Sequence, residues 1–252
     1  MCGRYSLSLP PQEIRAFFGF PEQPNYPPRY NIAPTQPIAV VRLVHGQRSF
    51  ALMRWGLLPS WLKDPKGFPT LINARGDTVA TKPAFRGAMR HHRCLIPADG
   101  FYEWQKTDLG RKVPHLIRRP DRGPFAFAGL WETWLGADGS ELDTATIVTT
   151  DANKTLMPLH DRMPVVVQPR DFDRWLDAEA NAPKDVADIL EPAPEDFFEA
   201  FPISTRVNSV ANDDPAIQTP LAEATTPPAE TREAPKKPTR KTDKDDGQMN
   251  LL

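Results

Sequence analysis

The sequence predicts an α+β fold: a single domain of mostly antiparallel, barrel-like β-sheet with short peripheral helices and long proline-rich loops. Three observations carry this expectation. Short runs of apolar and β-branched residues recur along the chain and are bounded by turn-forming residues. The 29 prolines are spread through the body, at Pro27, Pro28, Pro34, Pro37, Pro59, Pro65, Pro69, Pro83 and Pro97 among others. Proline fixes φ and donates no ladder hydrogen bond, so such a body favours short strands and stiff loops. Helical periodicity is confined to short stretches.

Taken in order, Cys2–Ser8 reads as a strand with Tyr5 and Leu7 on one face. Pro10 to Phe18 reads as a helix with prolines in its first turn and an apolar stripe of Ile14, Phe17 and Phe18. Residues 19–37 read as a loop. Strands are expected at Ile38–Val44 and Ser49–Met53, turning at His45-Gly46-Gln47, and another ends at Asn73. A helix from Pro83 runs into a buried strand, Cys94–Ile96, and its basic residues, Arg86 to Arg93, read as a basic helix face. Phe101–Trp104, Val113–Ile117, Phe125–Trp131 and Thr144–Thr150 are further strands, with a turn at Asp138-Gly139. A short helix follows Asn153, Leu159–Pro164 is a loop and Val165–Val167 a buried strand. Arg170–Leu176 and Pro183–Leu190 are short amphipathic helices, and Phe201–Asn208 a last strand. The domain is expected over residues 2–217. Residues 218–252, rich in Pro, Lys, Glu and Thr, are expected to be a disordered tail.

Composition narrows the function classes. The 252 residues are 40% hydrophobic and 9% aromatic, with a formal net charge of −1. Nucleic-acid binding would therefore come from a local patch, not from a whole-molecule field. Two cysteines, Cys2 and Cys94, make no disulfide framework and suit a reducing compartment. The first thirty or so residues lack the apolar run of a signal peptide, and no run is long enough to span a bilayer. A soluble, cytoplasmic protein is expected, with a monomer as the default. His91, His92 and Cys94 lack a second half-site of metal-ligand spacing, so neither metal nor cofactor is expected.

The stretch Met1-Cys2-Gly3-Arg4-Tyr5 carries the most distinctive chemistry. Removal of Met1 would leave Cys2 with a free α-amine beside its thiol. The reference pKa values are about 8 and about 8.5, and local positive charge would lower the thiol further. Such an aminothiol condenses with an aldehyde to an imine, which the thiol closes to a thiazolidine. A lone cysteine is also simply a small hydrophobe.

Other candidates each carry two readings. Trp55 and Trp61 in Arg54-Trp-Gly-Leu-Leu-Pro-Ser-Trp61 are core anchors or, with Arg54, Lys63 and Lys66, a platform for unpaired bases. Asn73 and Arg75 form an Asx-turn with a solvent arginine, or a polar strand end with a phosphate-binding fork. Glu103 lies on the face of its strand opposite Tyr102 and Trp104. It is solvent-facing, or desolvated among aromatics and raised toward the acid–base range. His160, between Leu159 and Asp161-Arg162, is a surface residue or a catalytic loop residue.

The ordered set Met-Cys-Gly-Arg-Tyr, Asn31-Ile-Ala-Pro-Thr-Gln, Arg54-Trp-Gly-Leu-Leu-Pro-Ser-Trp, Asn73-Ala-Arg, Arg93-Cys-Leu-Ile-Pro-Ala-Asp-Gly-Phe-Tyr-Glu-Trp, Phe127-Ala-Gly-Leu-Trp, Thr149-Thr-Asp-Ala-Asn, Leu159-His-Asp-Arg-Met-Pro and Val207-Asn resembles the SOS-response-associated peptidase family of abasic-site processing proteins. The resemblance runs from residue 2 to about residue 215. It implies recognition of abasic sites in single-stranded DNA and a thiazolidine cross-link through Cys2, with the peptidase name reflecting self-removal of Met1. It implies lyase-type imine chemistry and a shielded lesion. Carried over by motif, Cys2 is the nucleophile, Asn73 holds the reacting centre, Glu103 is the general acid–base and His160 assists sugar ring opening. Arg4, Arg75 and Arg162 would hold phosphates, and Trp61 and Trp104 would stack bases. Asn31, Pro34 and Thr149 complete the expected DNA-binding set. Two alternatives remain: a cysteine peptidase using Cys2, His160 and Asn73, and a non-covalent single-strand binder.

Overall fold

A computed structural model describes residues 2–221. The expected tail therefore lies outside the described residues from residue 222 onward. The elements, in order, are β1 (Tyr5–Leu7), α1 (Pro11–Phe18), β2 (Arg29–Ile32), β3 (Pro37–Val44), β4 (Gln47–Trp55), β5 (Asn73–Arg75), α2 (Arg86–His91), β6 (Arg93–Ala98) and β7 (Gly100–Lys106). There follow β8 (Lys112–Arg118), β9 (Phe125–Leu135), β10 (Glu141–Asp151), β11 (Arg162–Pro164), β12 (Val166–Val167), α3 (Phe172–Leu176) and β13 (Glu199–Pro202). Short 3₁₀ turns lie at Pro169–Asp171, Pro183–Leu190, Thr205–Asn208 and Pro215–Gln218. Among the described residues no helix is long and apolar enough to cross a membrane.

Five strands close into a ring. β10 pairs with β9, β9 with β6, β6 with β3, β3 with β4, and β4 returns to β10. All of these pairings are antiparallel except β4 with β10, and closure leaves the ring no free edge. The β3–β4 turn forms as the sequence predicts. His45 and Gly46 sit at φ 49° and 77°, the left-handed pair that matches hairpin twist. A second sheet has the order β13-β8-β7-β1-β2. Tyr5 of β1 joins the two. Its ring meets Trp55 of β4 at 5.3 Å and Phe127 of β9 at 5.8 Å, both edge-on. Such aromatic contacts add about 1 kcal/mol each beyond area burial.

β10 is long enough to do two things. Its first half closes the ring. Its second half pairs Ile147, Val148 and Thr149 with Asn73, Ala74 and Arg75 of β5, then Thr149–Asp151 with β11. The sequence candidates Asn73, Arg75, Thr149 and Arg162 are thereby brought to one end of one strand.

Several expectations change. The loop expected at 19–37 contains β2, whose backbone N–H groups at Tyr30 and Asn31 are held by the Asp213 carboxylate. Its ladder partner is β1, and no local apolar alternation announces it. β5 begins at Asn73 instead of ending there, and the expected loop at 159–164 contains β11. Turns replace the expected helix after Asn153, and residues 205–208 form a 3₁₀ turn instead of a strand. The first residues of the expected tail are packed. Gln218 donates to Tyr102 Oη at 3.0 Å, and Leu221 N–H to the Pro202 carbonyl at 2.9 Å.

Arg93 does not belong to a basic helix face. It opens β6 with 1% of its surface exposed. Its guanidinium donates to the carbonyls of Trp175 (2.5 Å), Met89 (3.1 Å), Asp177 (3.0 Å) and Asn181 (2.8 Å). A buried cation needs such a set of acceptors, and burial still lowers its pKa to about 10. Arg93→Ala would remove a donor from all four carbonyls, of which that of Asp177 keeps the Asn181 backbone N–H and Nδ2. It is expected to cost about 3 kcal/mol in urea unfolding, with Arg93→Lys intermediate.

Candidate functional site

Cys2 precedes β1, and β1 lies beside β7, where Tyr5 opposes Phe101 and Tyr102 N–H donates to the Arg4 carbonyl at 3.0 Å. This pairing sets Glu103 near Cys2. Both are buried, Cys2 completely and Glu103 with 5% exposed. Glu103 lies on the strand face opposite Tyr102 and Trp104, as alternation predicts. Tyr102 joins a small cluster with Leu116, Ile203, Val207 and Ile217, while Phe101 enters the main core. Both faces of β7 are covered, so Glu103 is desolvated. Asn73, at the start of β5, reaches the same place. Its Nδ2 donates to the Cys2 carbonyl at 2.9 Å, and its Oδ1 is buried with no hydrogen-bond partner among the described residues.

The electrostatics differ from expectation at the thiol. Burial pushes the Cys2 thiol well above its ordinary value, and the Glu103 charge pushes it further. Burial is the larger influence and keeps the thiol above its ordinary value. Burial also raises the Glu103 carboxyl, with the charge of His160 pulling the other way. The raised carboxyl sits closer to the range in which a group both takes and gives protons. His160 is half-buried. Its Nδ1 lies 2.7 Å from Asp161 Oδ1 and 3.0 Å from the Arg162 backbone N–H.

The three arginines are held differently. Arg75 is exposed and forms a two-point pair with Asp77, Nε to Oδ1 at 3.2 Å and Nη2 to Oδ2 at 2.7 Å. Arg4 Nη1 donates to Asn31 Oδ1 (2.6 Å) and to the Val207 carbonyl (2.9 Å), and its guanidinium lies 5.9 Å from the Trp104 ring centre. Arg162 is buried, with Nη2 on the Thr149 carbonyl (2.7 Å) and hydroxyl (3.0 Å) and Nη1 3.8 Å from Asp151.

Asn31 and Thr149 are completely buried, with their polar atoms engaged inside the protein. Asn31 fixes Arg4 and, through Nδ2, the carbonyls of Val207, Ser209 and Asn212; Thr149 fixes Arg162. Pro34 is half-buried in the turn between β2 and β3.

The tryptophans separate into the two readings. Trp55 is a core residue bonded to the Ile72 carbonyl. Trp61 is 58% exposed, with its ring edge-on to Phe68, which keeps it available as a platform. Trp104 is half-buried, and its Nε1 donates to Asn208 Oδ1 at 2.8 Å. That role of Asn208 has no local signal, because its partner is 104 positions away. Asp161 was legible only as the neighbour of His160.

Together these groups form a nucleophile, a hydrogen-bonding amide, a buried carboxyl and an imidazole around one chain terminus. They can carry out addition to a carbonyl with proton transfer. The set is not a Cys–His–Asn relay of the peptidase kind, in which the amide orients the imidazole. Asn73 bonds the Cys2 carbonyl, and the side-chain partner of His160 is Asp161. Among the described residues no group of three or more His, Cys, Asp or Glu could hold a metal ion.

The chain is similar to known proteins over most of its length. Abasic site processing protein YoqW of Bacillus subtilis is 38% identical over 220 residues, covering 86% of this chain and 98% of YoqW. Abasic site processing protein HMCES of Xenopus tropicalis is 31% identical, covering 85% of this chain and 77% of HMCES. A crystal structure of a protein from Bacteroides thetaiotaomicron shares the fold with a TM-score of 0.79 at 24% identity, covering 88% of this chain and 100% of that one. The SOS response associated peptidase (SRAP) profile matches residues 1–210, and the chain belongs to that family.

Proposed function

We propose that this protein recognises abasic sites in single-stranded DNA, as part of the response to DNA damage, and captures them covalently through Cys2. The observation that carries the reading is the convergence of Asn73 and Glu103 on Cys2, with the charge of His160 acting on Glu103. The relatives, named as abasic site processing proteins, point to the substrate.

The chemistry begins with hydrolysis of the Met1–Cys2 bond by the chain itself, which frees the α-amine. Ring opening of the abasic sugar presents an aldehyde at C1′. The α-amine adds first to C1′, giving a carbinolamine. The carbinolamine loses water to give an imine. Sγ then adds to the imine carbon while its proton passes to nitrogen, closing the thiazolidine. The net change is loss of one water. Glu103 takes the proton from the attacking group and returns one to the departing hydroxyl. Asn73 holds the Cys2 backbone so that amine and thiol meet the same carbon. Arg4, Arg75 and Arg162 neutralise flanking phosphates, and Trp61 and Trp104 offer faces to unpaired bases. The finished ring would shield the lesion from strand cleavage.

The test is a denaturing gel of Met1-free protein with a single-stranded oligonucleotide carrying one abasic site. Wild type is expected to give a heat-stable shifted band that an undamaged oligonucleotide does not give. Cys2→Ala and an N-terminally extended form should give none; bands of wild-type intensity from either would overturn the aminothiol chemistry. Asn73→Ala and Glu103→Gln are each expected to slow cross-linking by about 100-fold at pH 7.

Glu103→Gln also has a stability signature independent of activity. A carboxyl raised by folding binds more protons in the folded state, so its ionisation penalty is absent below the unfolded pKa and grows as pH rises through the folded one. The variant should gain stability over wild type at pH 7 and lose that gain by pH 4, read by urea unfolding at both values.

A further inference from the structure

We infer that Asp161 is a positioning residue that selects which ring nitrogen of His160 carries the proton, and so decides whether Nε2 can accept one at the reacting centre. The inference rests on the reading above, in which His160 acts on the sugar.

Nδ1 of His160 has two neighbours with opposite demands. The Arg162 backbone N–H, at 3.0 Å, can only donate and selects a bare lone pair on Nδ1. The Asp161 carboxylate, at 2.7 Å, can only accept when ionised and selects Nδ1–H. A neutral imidazole carries one N–H, so the two contacts specify opposite tautomers. With Nδ1 turned to Arg162 the proton sits on Nε2, which can then donate but not accept. With Nδ1–H on Asp161, Nε2 has the lone pair and can cycle between accepting and donating.

Other charged groups share this environment. Glu103 on β7 feels the His160 charge, and Cys2 feels that of Glu103. Arg162 lies 3.8 Å from Asp151, and Arg75 is influenced by Asp77, Asp151 and Asp161.

The proton balance of sugar opening shows why the tautomer matters. The O1′ hydroxyl proton passes to the Glu103 carboxylate as the C1′ carbonyl forms. The C1′–O4′ bond breaks, and O4′ takes the Nε2 proton of an imidazolium. His160 is left neutral, its remaining proton on Nδ1 facing Asp161; it regains a proton at Nε2 from solvent as Glu103 gives its own to solvent, which restores both groups. If Arg162 sets the tautomer instead, Nε2 keeps its proton and the cycle stops. Asp161 is 79% exposed, and exposed pairs contribute little to stability. Its contact is thus better suited to orientation than to holding the fold.

The experiment is single-turnover cross-linking of the full chain, freed of Met1, to an abasic-site oligonucleotide across pH, for wild type, Asp161→Asn and Asp161→Glu. Long-range ¹H–¹⁵N spectra of the His160 ring accompany it. Asp161→Asn is expected to lower the saturated rate on the order of tenfold, with half-saturating DNA and thermal midpoint unchanged. Its ring should shift from Nδ1–H to Nε2–H. Asp161→Glu should recover part of the rate. A wild-type rate with an unchanged tautomer overturns the inference. So does an unchanged rate with tighter DNA binding, which would make Asp161 a charge that repels phosphate. If wild type forms no cross-link, the proposed function fails, and the spectra still decide whether Asp161 sets the tautomer.

Discussion

Strand β10 is the constraint on which the rest depends, because it belongs to two structures at once. Its first half carries the pairings with β9 and β4 that close the five-stranded ring. Its second half aligns β5 and β11. A one-residue slip in a strand turns every side chain to the opposite face, and ring closure prevents that slip. The register that holds the barrel together therefore also fixes where Asn73 and Arg162 stand.

The second constraint is burial. Cys2 and Glu103 are enclosed between the ring and a sheet whose other face is covered by residues 203–217. Desolvation raises both groups. This suits the proton exchange proposed for the carboxyl. The arginines nearby are already engaged, Arg75 by Asp77, Arg162 by Thr149 and Arg4 by Asn31. Phosphate binding at Arg75 would exchange one anion for another, not fill an empty cation site.

Much of the fold was legible because it follows from local pattern. The β3–β4 hairpin, the faces of β7 and the buried strand at Cys94 come from alternation and turn chemistry. β2 was not legible, since what makes it a strand is β1 on one side and the carboxylate of Asp213 on the other. Arg93 illustrates the same limit. A cation beside Arg90 and His91 belongs by composition to a surface, and only the carbonyls of Trp175, Asp177 and Asn181 make its burial possible. At the candidate site, motif order singled out Cys2, Asn73, Glu103 and His160, which the fold brings close together. It did not separate residues facing outward from those supporting them. Asn31 and Thr149 stand in such motifs yet are enclosed, each spending its polar atoms on an arginine or on backbone carbonyls.

In the proposed chemistry the amine and thiol of one residue both end on one sugar carbon. Intact-mass measurement of Met1-free protein after incubation with an abasic-site oligonucleotide, followed by peptide mapping of the adduct, tests this. The expected mass is the sum of the two masses less one water, with the adduct confined to Cys2 and its thiol no longer alkylatable. An adduct of the same mass whose Cys2 thiol still reacts with iodoacetamide, or one carried on a lysine, would contradict it.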